Sequence, residues 1–89
     1  MAYMEFTIRD LRRIMHESAG EGDGGDVEIA TMDTEFTQLG YESLALLETG
    51  SRIEREFGIR LDDSDLFDSP TPRALIEAVN AQLTLRQAA

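Results

Sequence analysis

The 89 residues include no cysteine. Disulfide scaffolds, thiol nucleophiles and cysteine-based zinc sites are thereby excluded, and a reducing compartment fits. Lysine is also missing, and all 8 basic residues are arginine. A glycine-rich phosphate loop with its lysine is therefore absent. Histidine occurs once, as His16. No apolar run approaches the roughly 20 residues needed to cross a bilayer. The opening "MAYMEFTIRD" has no basic start followed by an apolar stretch, so no secretory signal is read there. A cytoplasmic protein is expected.

Positive charge is scarce. Against 18 acids the 8 arginines leave a formal charge of −10. Nucleic-acid backbones and anionic membranes would repel such a surface. A basic protein partner would be drawn to it. The same charge favours a monomer. At this length one domain, spanning 1–89, is the natural reading, and its core must be thin.

What is present is helical. Thr7 and Asp10 stand at capping-box spacing, followed by Ile8, Leu11 and Met15 at helical intervals, with Gly20 as the stop. Gly20 to Phe36 holds four glycines and many acids without a sustained period, and reads as a long acidic loop. Its first part, Gly20 to Asp26, is read as solvated, and Val27, Ile29 and Met32 as the anchors to the core.

From Ser43 to Gly58 the pattern is the clearest helix. Leu46, Ile53 and Phe57 share one arc with Gly50 beside them, and Leu44, Glu48, Ser51 and Arg55 share the opposite arc. Ile59 and Leu61 form a short extended piece, and Asp63 to Phe67 one helical turn. Thr71-Pro72 opens the last helix, whose apolar face is Leu75, Ile76, Val79 and Leu83. The tail from Thr84 to Ala89 is expected to fray. The fold class is all-α: three amphipathic helices that pack on one another, plus a short helical turn, with a long loop between the first two helices.

The chemistry narrows to one residue. A serine nucleophile needs a base and an orienting group, and His16 on the first helix offers neither by spacing. No G-x-S-x-G elbow occurs. The run "DDSD", Asp62 to Asp65, lacks the rest of a calcium loop and reads as acids at a helix start. In "LGYESLALLE", Leu39 to Glu48, Ser43 is then either a helix cap or an attachment point. Leu44 lies outside the apolar arc, flanked by Glu42 and Glu48, which suits a docking surface. A helix start also seats a phosphate well, because free N–H groups and the helix dipole face the anion.

At these residues the chain resembles the acyl carrier protein family, whose marker is D-S-L at the start of the second helix; here it reads Glu42-Ser43-Leu44. The longer string "LGYESLALLETGSRIEREFG" is most similar to the stand-alone carriers of bacterial type II aromatic polyketide synthases, and the likeness extends to "SPTPRALIEAVN". The resemblance implies a non-catalytic carrier with 4′-phosphopantetheine on Ser43, installed by a phosphopantetheinyl transferase. It implies docking through Glu42, Leu44, Glu48 and Glu54, and contact of Leu46, Leu47 and Ile53 with the arm or its cargo. The implied partners are a ketosynthase/chain-length factor pair, a malonyl-loading acyltransferase, a ketoreductase and cyclases. Glu42 in place of the usual Asp keeps the charge and reaches one methylene further. Arg52 and Arg55 interrupt the acidic helix face of fatty acid carriers. A fatty acid synthase carrier and an unmodified acidic adaptor are the alternative readings. A peptidyl carrier, which would read G-G-x-S, and a hydrolase drawing on His16 fit the residues less well.

Overall fold

A computed structural model describes residues 5–20, 27–68 and 71–88, apart from the side chains of Ala19, Gln87 and Ala88. The acidic stretch 21–26 lies outside them, and so does the end of the tail at Ala89. Among the described residues four α-helices follow one another: α1 Ile8–Ala19, α2 Ser43–Phe57, α3 Asp63–Phe67 and α4 Pro72–Ala88. A three-residue 3-10 turn, Ile29–Thr31, interrupts the long connection between α1 and α2. There is no strand among the described residues, and no helix is long and apolar enough to cross a membrane.

Local chemistry sets the helix ends. The Asp10 amide donates to Thr7 Oγ1 at 3.3 Å, and the Thr7 amide donates to Asp10 Oδ2 at 3.0 Å. Asp thus completes the capping box that Glu more often fills. Gly20, with φ 75°, ends α1 and donates its amide to the His16 carbonyl. Gly58 closes α2 in the left-handed region at φ 66°, where a side chain would be strained. Pro72 opens α4, and Thr71 Oγ1 accepts the Ala74 amide at 3.2 Å.

The buried faces meet in one cluster that includes Leu11, Ile14, Met15, Leu46, Ile53, Leu75, Val79 and Leu83. Each such side chain contributes on the order of 1.5–3 kcal/mol through burial. Phe6 packs edge-on against Phe57, with ring centroids 5.1 Å apart, so the start of α1 lies beside the end of α2. The two helices run antiparallel, and Arg52–Glu17 (2.6 Å) and Arg13–Glu56 pairs line their seam. Asn80 clasps Phe6, accepting its amide at 2.7 Å and donating to its carbonyl at 2.9 Å. At Gly50 an added Cβ would lie 3.0 Å from Leu66 Cδ1, so α3 sits directly on the α2 backbone.

Two expectations change. Of the loop anchors, Val27 is fully buried and Met32 half-buried, but Ile29 is 80% exposed. The turn closes on itself, with the Glu28 amide donating to Thr31 Oγ1, and presents its first residue outward. Phe36, Leu39 and Tyr41 anchor the later part of the connection instead. The tail does not unwind at Thr84. The helix continues to Ala88, and Arg86 donates to the Gly58 carbonyl at 2.5 Å. Thr49, which the sequence reading did not place, also lies in the core at zero exposure.

Candidate functional site

The approach to α2 is a run of tight turns. The Tyr41 amide returns to the Phe36 carbonyl at 2.9 Å, and Gly40 makes the reversal possible with φ 89°. Tyr41 is buried, packs edge-on against Phe36, and donates its hydroxyl to the Gly20 carbonyl at 3.2 Å. The start of α2 is thereby fastened to the end of α1.

Ser43 is the first residue of α2, and the N-cap is Glu42, in extended geometry with no side-chain cap bond. This corrects the reading of Ser43 as a helix cap. A cap must have non-helical backbone angles, and the extended residue is Glu42. Ser43 is exposed, and its hydroxyl has no hydrogen-bond partner among the described residues. The first intrahelical bond at this end is from the Leu46 amide to the Glu42 carbonyl, 3.1 Å. The amides of Ser43, Leu44 and Ala45 are left without an intrahelical acceptor, and the positive end of the helix dipole lies at the same place. These residues fit a phosphodiester on the Ser43 oxygen: the hydroxyl is accessible and unengaged, and nearby N–H groups offset the charge.

The residues selected from sequence fall into three groups. Glu42, Leu44 and Glu48 are exposed around Ser43, with Leu44 at 67%. Ser51 and Arg55 continue that face. Leu46 and Ile53 are buried in the core. Glu54 is half-buried and accepts the Leu61 amide at 2.9 Å, so its carboxylate fastens the α2–α3 connection. Leu47 stands on the shoulder between face and core, 43% exposed. With Glu48, Ser51, Arg52, Arg55 and Ser18 it lines an open concavity of about 380 Å³.

Arg52 departs from expectation, for it is turned toward α1 and paired with Glu17. Only Arg55 of that arginine pair joins the exposed face. Thr49 is the residue that sequence reasoning missed. It is fully buried, and its Oγ1 finds no partner. Its position between Leu46 and Ile53 on the inner arc was the available signal, hidden by its hydroxyl. Asp65 accepts the Asp62 amide at 2.8 Å, which is a capping role at the start of α3.

The family model described as phosphopantetheine attachment site matches residues 9–79. The monensin polyketide synthase acyl carrier protein of Streptomyces virginiae is 51% identical over 89 residues, covering 100% of each chain. The oxytetracycline polyketide synthase acyl carrier protein of Streptomyces rimosus is 50% identical over 82 residues, 88% of this chain and 82% of that one. Among solved structures, the holo acyl carrier protein of actinorhodin biosynthesis from Streptomyces coelicolor superposes with a TM-score of 0.77 at 40% identity, covering 99% and 100% of the two chains.

Proposed function

The chain belongs to the acyl carrier proteins of type II aromatic polyketide synthases, non-catalytic carriers of phosphopantetheine-tethered intermediates, and on that premise we propose that Ser43 is the attachment residue. The observation that carries the proposal is the exposed, unengaged hydroxyl on the first residue of α2. Attachment forms a phosphodiester between Ser43 Oγ and the phosphopantetheine of coenzyme A. The 3′,5′-bisphosphate of adenosine departs, and a phosphopantetheinyl transferase takes the serine proton. The chain needs no base of its own for this step. The arm supplies a thiol that this cysteine-free chain lacks.

The exposed residues Glu42, Leu44 and Glu48 receive the enzymes. Leu44 gives the apolar contact at the centre, and the two carboxylates select basic surfaces. Those enzymes are the transferase, the ketosynthase/chain-length factor pair, the malonyl-loading acyltransferase, the ketoreductase and the cyclases, met in the cytoplasm. Leu47, beside that face, meets the arm or its cargo. Leu46 and Ile53 meet cargo only when the bundle parts, since both are buried. Glu54 contributes to docking indirectly, by holding the α2–α3 connection in place through Leu61.

The test is the intact mass after incubation with coenzyme A, magnesium and a broad-specificity transferase. A gain of one phosphopantetheine, absent in Ser43→Ala, is the expected result. A gain that persists in Ser43→Ala moves the attachment to another residue.

A further inference from the structure

The charges of α2 divide into those engaged within the bundle and those left free. Arg52 pairs with Glu17 at 2.6 Å, and Glu56 pairs with Arg13, which also reaches Glu17 at 3.4 Å. Both pairs lie in the seam with α1. The Glu54 carboxylate accepts the Leu61 amide. Among the described residues, Glu48 and Arg55 have neither a hydrogen bond nor an ion pair. Arg55 has no acid at helical spacing. The residues four and three before it are Ser51 and Arg52, and the helix stops at Gly58.

The two free charges are opposite in sign and share one exposed face. Arg55 follows Glu48 by seven residues. That is two turns with a drift of about 20°, and about 10 Å along the axis. The distance exceeds the screening length of about 8 Å at physiological salt. Glu48 and Arg55 therefore do not neutralise each other, and a body resting on the helix meets two separate charges. Ser51 stands between them. Leu47, Glu48, Ser51 and Arg55 border the open concavity of about 380 Å³, which Ser18 and the engaged Arg52 also line.

The face has a direction. Glu42 and Glu48 lie on the half of α2 that bears Ser43, and Arg55 lies in the last turn. A uniformly acidic face would accept a basic partner equally well when turned end for end. This one does not, because the reversed pose sets a cation against Arg55 and a carboxylate against Glu48. Arg55 also suits the negative end of the helix dipole, a local role that a melt separates from docking.

We propose that Arg55 fixes the register in which the ketosynthase pair docks on α2, by meeting a carboxylate of that enzyme about 10 Å from the basic group that meets Glu48. The choice of partner rests on the carrier reading above, since this is the enzyme to which the carrier returns at each extension. Attraction to a chain of charge −10 brings the two together. The Arg55 contact then selects one pose from the two.

The experiment uses the phosphopantetheine-loaded protein and its Arg55→Glu, Arg55→Gln and Arg55→Lys variants, with the ketosynthase pair as the probe. Intact mass verifies loading, and thermal melts verify the fold. Chain extension is followed against carrier concentration and salt, and the Kd of each unloaded carrier is measured in parallel. The sign of the change decides. If net negative charge alone drew the enzyme, Arg55→Glu would bind more tightly. The expected result is the reverse: KM and Kd about threefold higher for Arg55→Gln and about tenfold higher for Arg55→Glu, with kcat kept and Arg55→Lys near wild type. These differences shrink as salt rises. An acid-to-arginine change on the enzyme's docking surface restores the Arg55→Glu variant. A KM for Arg55→Glu below wild type, or within twofold of it, overturns the proposal. So does a loss that salt leaves untouched, or one that follows lost melting temperature across the three variants. Failure of Ser43 to load would overturn the attachment reading instead, while the Kd of the unloaded chain still tests Arg55.

Discussion

Tyr41 donates its hydroxyl to the carbonyl of Gly20, 3.2 Å away, and so sets where the helix bearing Ser43 begins. Tyr41→Phe keeps the buried ring and its edge contact with Phe36 but removes this bond. The expected cost is about 0.5–1.5 kcal/mol in urea unfolding, with a slower transferase reaction, since Ser43 is then less firmly positioned. A rate and a stability both equal to wild type would refute the role.

Ser43→Ala separates attachment from capping. A true cap would lose about 1 kcal/mol on truncation. Because Ser43 lies inside the helix with its hydroxyl unengaged, the substitution should change stability by no more than about 0.5 kcal/mol. Modification should vanish. A melt shifted well beyond that range would return a structural role to the hydroxyl.

Gly50→Ala sets two effects against each other. Alanine gains about 1 kcal/mol of helix propensity. Its Cβ would lie 3.0 Å from Leu66 Cδ1 and 3.1 Å from Cδ2, and overpacking of this kind costs about 1–3 kcal/mol. A net loss of up to about 2 kcal/mol is expected, with faster amide exchange confined to α3. Leu66→Ala in the same chain should relieve the crowding, so the two changes will be non-additive. Strict additivity would show that the contact carries no strain.

Thr49→Val should stabilise the fold. The Thr49 hydroxyl is buried without a partner, and an unmet buried donor costs about 1–3 kcal/mol. Valine has the same branching and removes that cost. A raised Tm with loading of Ser43 unchanged is the expected result; a lowered Tm would mean that the hydroxyl has a hidden partner.

Asp33→Asn tests the tie between the loop and α4. The hydrogen bond from Arg73 holds the Asp33 carboxyl below its ordinary range, and the Arg73 charge adds to the effect. A depressed folded-state value means stability that is present above the unfolded ionisation, near about pH 4, and lost as pH falls through the lower folded value. The wild type should therefore melt slightly higher than Asp33→Asn at neutral pH, with the difference closing in acid. Glu56, lowered through its bond from Arg13, follows the same sign. A difference that grows in acid would contradict the assignment.

The helix boundaries were legible because their signals are local. Thr7 with Asp10, Gly58, and Thr71 with Pro72 each act within one turn of chain. The exposed face of Leu44, Glu48, Ser51 and Arg55 was legible from phase alone. Ile29 was not, because the direction of a loop side chain depends on what the loop packs against, and hydrophobicity predicts only that something should cover it. The partners of Arg52 and Glu54 were not legible for a related reason. Their long side chains reach partners on other segments, Glu17 and Leu61, that no spacing within α2 reveals. The tail appeared frayed because its local sequence is weak, while the Arg86 bond to Gly58 spans 28 residues. At Ser43 the residue type suggested a cap, but a shift of one position gave that place to Glu42.

Leu66 is the buried residue of α3, and it rests in the notch opened by Gly50. A helix of five residues has almost no stability of its own. Its place depends on that buried side chain, on the Glu54 bond to Leu61 and on packing against α4. Ser43 hangs from a different support, the Tyr41–Gly20 joint on α1. Disturbing the seat of Leu66 should therefore leave the tether point where it is, because the two rest on different supports.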